Sequence, residues 1–168
     1  FSVFYSDDEW RLSPFHPSNN VQGHGSGTNR FDCMRQNSAN ALLIDKQKAT
    51  VKRIVRELNE FDNVYFEIQN EPFWNEPGVK DAEEAAFHNS MLAAVREEQA
   101  LLPNRHLVAH NFPQQMAAMS PDFDIINEHY PVPVPGATIA GAEALLSDHY
   151  DLGKVLALDE TNTVTELQ

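Results

Sequence analysis

Short apolar runs alternate with helical patterns along most of this chain, and that alternation constrains the fold more than any other feature. Strands are predicted at 1–5, 63–70, 106–110, 123–130 and 154–160. Between them, helices are predicted at 45–60, 81–101 and 140–149, with a single helical turn at 114–119. Strict alternation of strands and helices is typical of a parallel sheet covered by helices. The predicted fold class is therefore α/β.

The first long helix shows the pattern that supports this assignment. Val51, Ile54, Val55 and Leu58 have the i, i+3, i+4, i+7 spacing of one apolar helix face. Pro103-Asn104 ends the second helix, and Gly153 marks the end of the third. The stretch from 6 to about 40 is rich in Pro, Gly, Asn and Ser, so it is predicted to be a long functional loop.

Two parallel architectures agree with this order of elements. An open doubly wound sheet stays open as an interpretation, but no glycine-rich phosphate loop comes after any strand. A (β/α)8 TIM barrel is favoured, with about five of its eight strands in this chain. The sequence starts at Phe1 within a predicted strand and stops soon after the last one, so we expect a single partial domain cut at both ends. Residues 1–168 alone are then expected to fold poorly and to be inactive, because two sheet edges stay open.

The charge balance of the chain limits the classes of partner that it is expected to bind. The chain carries 12 Lys and Arg against 25 Asp and Glu, for a net charge of −13. That balance argues against nucleic acid and anionic membranes and fits a neutral substrate such as a carbohydrate. Cys33 is the single cysteine, so no disulfide forms within this chain, and a secreted or periplasmic location is a hypothesis that cysteine usage does not test.

Polar side chains lie at the ends of the predicted strands, where function is expected in a barrel. Strand 63–70 runs into Asn70-Glu71-Pro72, and strand 154–160 ends at Glu160. His110, Asn111, His129 and Tyr130 end two further strands, and Tyr5 ends the first. Functional residues of such barrels lie at the carboxyl ends of strands. Two glutamates there suit glycoside cleavage, in which one carboxylic acid protonates the leaving oxygen and a carboxylate attacks or stabilises the anomeric carbon.

Alternation along the strand that leads to Glu71 assigns a face to each of its side chains. Tyr65, Glu67, Gln69 and Glu71 share one parity and are predicted to face the barrel axis. An inward polar row is costly unless it is hydrogen-bonded, so the row itself indicates a site. Within it, Glu67 is interpreted as a structural carboxylate. Glu128 and Asp159 are predicted to point away from the axis.

These strand ends resemble the clan A retaining glycoside hydrolases, and the run from 53 to 72 is similar to cellulase-like proteins near family 5. His129-Tyr130-Pro131 and Asp159-Glu160-Thr161 extend the resemblance over most of the chain. The resemblance implies Glu71 as general acid/base and Glu160 as nucleophile. It also implies that Asn70 binds the sugar 2-hydroxyl, that Tyr130 orients Glu160, and that His129 lines the same subsite.

Other residues carry weaker hypotheses. Trp74 and Trp10 are candidates for stacking on a sugar ring, whose C–H face is apolar, and His110 is a further candidate for substrate binding. No cofactor is implied. A metal-dependent barrel hydrolase that uses His110, His129 and Asp159 is the main alternative, although no His-x-His or Glu-x-x-His spacing supports it. A barrel that binds glycans without hydrolysing them is a second alternative.

Overall fold

The computed structural model describes residues 7–23, 31–70, 81–111, 119–129, 147 and 149–160. Within these ranges lie three α-helices: α1 (Asp7–Leu12), α2 (Ala41–Leu58) and α3 (Asp81–Gln99). Four strands accompany them: β1 (Phe66–Glu67), β2 (Val108–His110), β3 (Ile125–His129) and β4 (Val155–Glu160). The predicted strand 1–5, almost all of the turn at 114–119 and most of the helix at 140–149 lie outside the described residues.

The four strands form one parallel sheet in the order β1-β2-β3-β4. Phe66 pairs with Val108, Ala109 with Ile125, and Ile125 with Val155. Each strand therefore lies beside the strand that precedes it in the chain, as is common for consecutive elements. The α/β class with a parallel sheet is confirmed by this arrangement.

The two long helices pack against one another and cover one face of this sheet. Val51 and Val55 of α2 meet Met91 and Val95 of α3 in a buried cluster that also contains strand residues. Each large aliphatic side chain removed from water in this way contributes about 1.5–3 kcal/mol before the entropy cost of ordering it. The strand residues in the cluster are Phe66, Ile68 and Val108.

Alternation along the strands gives the sheet two chemically different faces. Phe66 and Val108, which pair with one another, face the helices. Glu67, Ala109, Ile125 and the later Asn127 occupy the opposite face by the same alternation.

The predicted elements differ from the observed ones mainly in their ends. Strand 63–70 shortens to the two residues of β1, because 63–65 lie before the pairing with β2 begins and Tyr65 is exposed. A further bond, from the Ile68 N–H to the Ala109 carbonyl (3.2 Å), extends the contact. The predicted loop 6–40 contains α1 and two 3-10 turns, Asp32–Met34 and Ser38–Asn40.

No helix among the described residues is both long enough and apolar enough to cross a membrane.

Candidate functional site

The carboxyl edge of the parallel sheet brings together two of the predicted segments. β1 ends at Glu67, and the chain reaches the half-buried Asn70 three residues later. At the other side of the sheet, His129 of β3 is in register with Glu160 of β4. Because all four strands are parallel, Asn70, His129 and Glu160 lie at the same edge of the sheet.

The pairing of β3 with β4 is irregular at that edge. Glu128 pairs with Leu158 and His129 with Glu160, so Asp159 is an extra residue opposite β3. A bulge of this kind breaks the alternation of a strand and redirects the residues beyond it. Simple alternation along the sequence would place Glu160 on the same face as Leu156 and Leu158, and it does not capture this shift. In the observed register Glu160 pairs with His129, which is two residues after Asn127 on β3.

A hydrogen-bonded polar group lies on the face away from the helices, next to this edge. The Asn127 side chain donates from Nδ2 to Glu67 Oε2 at 2.5 Å. Asn111, directly after β2, donates from Nδ2 to the Asn127 carbonyl at 2.8 Å. Asn111 and Asn127 are fully buried and Glu67 is partly buried, so these bonds satisfy polar groups removed from water. Three neighbouring strands are linked by this group.

Gln69 departs from the predicted inward row. Its Oε1 accepts a hydrogen bond from His88 Nε2 of α3 at 2.9 Å, and its Nε2 lies 3.3 Å from Met34 Sδ. Glu84 of α3 accepts weakly from the same amide nitrogen at 3.5 Å. Gln69 therefore points towards the helices, because the chain has left the strand after Glu67 and alternation no longer applies. Of the predicted row, Glu67 lies on the expected face, while Glu71 is outside the described residues.

His110 also lies on the helix side of the sheet. It shares parity with Val108, is fully buried, and packs edge-on against Phe123 with the ring centroids 4.9 Å apart. Burial lowers the pKa of His110 to about 4, with smaller contributions from the charges of Lys154 and His149. A direct contact with substrate on the other face is inconsistent with this position, which corrects the prediction for His110.

His88 is the second buried imidazole of that region. Burial, reinforced by the nearby His110, lowers the pKa of His88 to about 3. Both rings are therefore neutral at physiological pH, His88 as a hydrogen-bond donor to Gln69 and His110 as a ring packed against Phe123. The metal alternative loses a ligand by this placement, since His110 lies behind the sheet. Within the described part of the chain, no group of three or more His, Cys, Asp or Glu side chains could hold a metal ion.

Trp10 is a core residue in the structure. Only 2% of its surface is exposed, and its ring makes an edge contact with His16 at a centroid distance of 5.3 Å. A ring packed in this way cannot offer an open face to a sugar, which corrects the stacking hypothesis for Trp10. Its apolar bulk within a sequence rich in polar residues is the signal that could have indicated a core role. Trp74, Tyr130 and Glu71 are outside the described residues.

Glu128 lies where alternation predicts. It is buried on the helix side of β3, and its Oε1 is 3.5 Å from His149 Nδ1. The structure also adds one residue that the sequence analysis did not name at all, Asn127, and it gives the strand-end residue Asn111 a hydrogen-bonding partner. An asparagine inside the otherwise apolar run Ile125-Ile126-Asn127 was the available signal, because a buried amide requires partners.

Comparisons give no external guide to this arrangement: no family model matches the chain, and searches of curated proteins and of solved structures find no match. The interpretation therefore depends on the geometry of the sheet edge itself. Residues with carboxylate and amide side chains lie at that edge, and His129 ends β3 there. Side chains of these types can bind hydroxyls and transfer protons.

Proposed function

We propose that this chain is part of a retaining glycoside hydrolase that cleaves O-glycosidic bonds of a poly- or oligosaccharide. The observation that carries the proposal is the parallel register that aligns His129 with Glu160 at the edge where β1 leads into Asn70. In this proposal Glu71 is the acid/base and Glu160 the nucleophile. Asn70, His129 and Tyr130 bind the sugar at the cleavage point.

The proposed scaffold is a closed (β/α)8 barrel. Support comes from the sequential strand order, the helices on one face and the polar group on the other, since the second face would be the barrel interior. Tyr65, Leu107 and Val155, which precede or begin their strands on that face, are 48%, 42% and 51% exposed. The further strands of a closed barrel would cover these three side chains. The three would then form an apolar layer below the polar group of Glu67, Asn111 and Asn127.

Closure is also required by the proposed chemistry. Two strands, β2 and β3, separate β1 from β4. At about 4.8 Å per strand, the ends of β1 and β4 would be roughly 14 Å apart in a flat sheet. Retaining enzymes hold their two carboxyl groups only about 5–5.5 Å apart. A curved, closed sheet reduces this gap because side chains from both strand ends then point towards one axis.

The reaction would proceed in two displacements. Glu160 attacks the anomeric carbon and Glu71 gives its proton to the departing oxygen, which breaks the glycosidic bond and leaves a glycosyl ester. Glu71, now a carboxylate, takes a proton from water as that water displaces Glu160. The configuration is inverted twice and is therefore retained.

The test uses the full-length natural polypeptide with a panel of aryl glycosides and polysaccharides. We expect hydrolysis with the first-formed anomer matching the substrate, read by NMR, and a stable ester on Glu160 with a 2-deoxy-2-fluoro glycoside, read by mass spectrometry. Glu160→Gln should lower kcat by at least about a thousandfold. The control is Glu97→Gln, whose carboxylate is exposed on α3 and pairs with Lys52.

Three results would reject the proposal in different ways. First-formed product of inverted configuration would exclude a glycosyl-Glu160 intermediate. Hydrolysis abolished by a chelator and restored by a divalent metal would favour the metal-dependent alternative. Glycan binding without turnover, unchanged in Glu160→Gln, would favour a glycan-binding barrel.

A further inference from the structure

The hydrogen bond between Asn127 and Glu67 skips a strand. Asn127 belongs to β3 and Glu67 to β1, and β2 lies between them. Two strand spacings amount to about 9.5 Å between main chains, so both side chains must extend across β2 to meet. Ala109 is the β2 residue that they cross, since it pairs with Glu67 on one side and with Ile125 on the other.

The small side chain of Ala109 makes the crossing sterically feasible. Ala109 is fully buried, so its methyl group is already covered by its neighbours. A leucine at this place would add three carbons beneath the carboxylate and force the two partners apart.

The hydrogen bond between Asn127 and Glu67, called the bridge from here on, is slanted towards the carboxyl edge of the sheet. Ile125 is the β3 residue level with Ala109 and Glu67, and Asn127 is two residues further on, which is about 6.6 Å along the strand. The Glu67 carboxylate is thereby drawn towards the end of β1, beyond which the chain continues to Asn70. On β3 the anchored residue is two places before His129, whose partner is Glu160.

We propose that Glu67 is a positioning residue, which holds the end of β1 at a fixed distance from the ends of β3 and β4 through Asn127. The catalytic consequence rests on the function proposed above: the bridge holds the strand end that leads to the proposed acid/base at a fixed distance from the end of β4, which carries the proposed nucleophile. Asn111 extends the tie to β2 through its bond to the Asn127 carbonyl. Glu67 itself exchanges no proton with the substrate.

Two variants disturb the bridge in independent ways, and a third provides the control. Glu67→Gln leaves only one amide oxygen to accept from Asn127 and adds an NH2 group that repels the Asn127 donor, so it weakens the bond, and Ala109→Leu leaves both partners but obstructs their path. The control, Glu98→Gln, removes a more deeply buried carboxylate that accepts from Arg56 at 2.6 and 2.8 Å between α2 and α3, away from the sheet edge. All are made in the full-length natural polypeptide and compared under conditions of equal stability.

The first readout is amide hydrogen exchange, which does not depend on activity. Both bridge variants should speed exchange at 66–70 and at 125–129 together, whereas Glu98→Gln should not. The second readout is the dependence of kcat on the leaving-group pKa of aryl glycosides. Misplacing the acid should slow substrates with poor leaving groups about 10- to 100-fold and change activated ones little. A variant that is merely unstable would not change that slope.

The outcomes separate this inference from the function it rests on. Faster exchange at both strand ends together with a steeper leaving-group slope in both bridge variants supports it. An active wild type whose slope and exchange are unchanged in Glu67→Gln and Ala109→Leu overturns the positioning role and leaves the proposed function intact. A wild type that hydrolyses no glycoside overturns the proposed function itself, and the positioning role with it.

Discussion

Asp124 shows how a single side chain fixes the start of a strand. It accepts hydrogen bonds from Arg96 Nη2 at 2.5 Å, from Arg105 Nη2 at 3.1 Å and from the Val108 N–H at 2.8 Å. Burial would raise the pKa of Asp124, but the bonds from Arg96 and Val108 and the two arginine charges outweigh it and lower that pKa. Asp124 therefore joins α3, β2 and the entry to β3 as a carboxylate.

Replacing this carboxylate with an amide tests its role at the strand entry. Asp124→Asn cannot accept charge-assisted bonds from two arginines, so we expect the free energy of unfolding to fall by about 1–3 kcal/mol at pH 7. The measurement is urea unfolding monitored by circular dichroism. The control is Asp122→Asn, an exposed neighbour that should change stability by less than about 0.5 kcal/mol. Equal effects of the two substitutions would show that the Asp124 bonds contribute no stability.

Residue type predicts position along a strand better than it predicts direction. Asn70, His129 and Glu160 could be assigned to the carboxyl edge, because the end of a buried strand is visible as a change from apolar to polar residues. The side of the sheet on which the Gln69 and His110 side chains lie could not be predicted in the same way. Gln69 lies beyond the point where the strand stops, and the neutral His110 is held in a core that includes Phe123.

At the scale of elements, the helices were predicted more closely than the strands. α2 and α3 carry long apolar faces, and the predicted 45–60 and 81–101 overlap the observed Ala41–Leu58 and Asp81–Gln99. β1 was predicted too long, since its extent depends on the pairing with β2 and not on its own sequence. α1 was missed, because the surrounding Pro, Asn and Ser residues indicate a loop and six residues are too few for a periodic signal.

The entry to β4 depends on one glycine. Gly153 has φ 66° and ψ 28°, the left-handed conformation, directly after the 3-10 turn Tyr150–Leu152. A Cβ placed there meets nothing within 4 Å, so a side chain is disfavoured by the backbone conformation alone. We expect Gly153→Ala to lower the free energy of unfolding by about 1 kcal/mol and Gly153→Asn by less, measured by thermal unfolding. If alanine and asparagine cost the same, the left-handed backbone is not the cause.

At the scale of the whole molecule, the sheet separates two kinds of polar chemistry. Glu67, Asn111 and Asn127 lie on the face away from the helices, where their hydrogen bonds join neighbouring strands near the carboxyl edge. Gln69, His88, His110 and Glu128 lie behind the sheet, within the helix-covered core. Sequence alone mixes these sets, because both contain polar residues near strand ends.

The two buried histidines make the stability of the whole fold sensitive to acid. The pKa of His88 is about 3 and that of His110 about 4 when folded, against an ordinary value of 6.5. Below pH 6.5 the unfolded chain takes up protons at these positions while the folded chain does not, so unfolding is favoured as pH falls. Their stabilising effect is complete above pH 6.5 and is lost progressively towards pH 3. The loss is up to about 1.4 kcal/mol per pH unit for each histidine.

The expected loss can be measured by urea unfolding between pH 8 and pH 5. This range lies above the ordinary pKa of 3.8 for Asp124, whose folded pKa is lower still, so its carboxylate stays ionised in both states. From pH 6.5 to pH 5 we expect each histidine to remove about 1–2 kcal/mol, and His88→Gln should reduce the slope by one histidine's share. Between pH 7 and pH 8 the substitution should leave the slope unchanged, because His88 is neutral in both states there. The contrary outcome is a free energy of unfolding that falls equally steeply from pH 6.5 to pH 5 in wild type and in His88→Gln. His88 would then become charged in the folded protein, which would contradict its buried, neutral position beside Gln69.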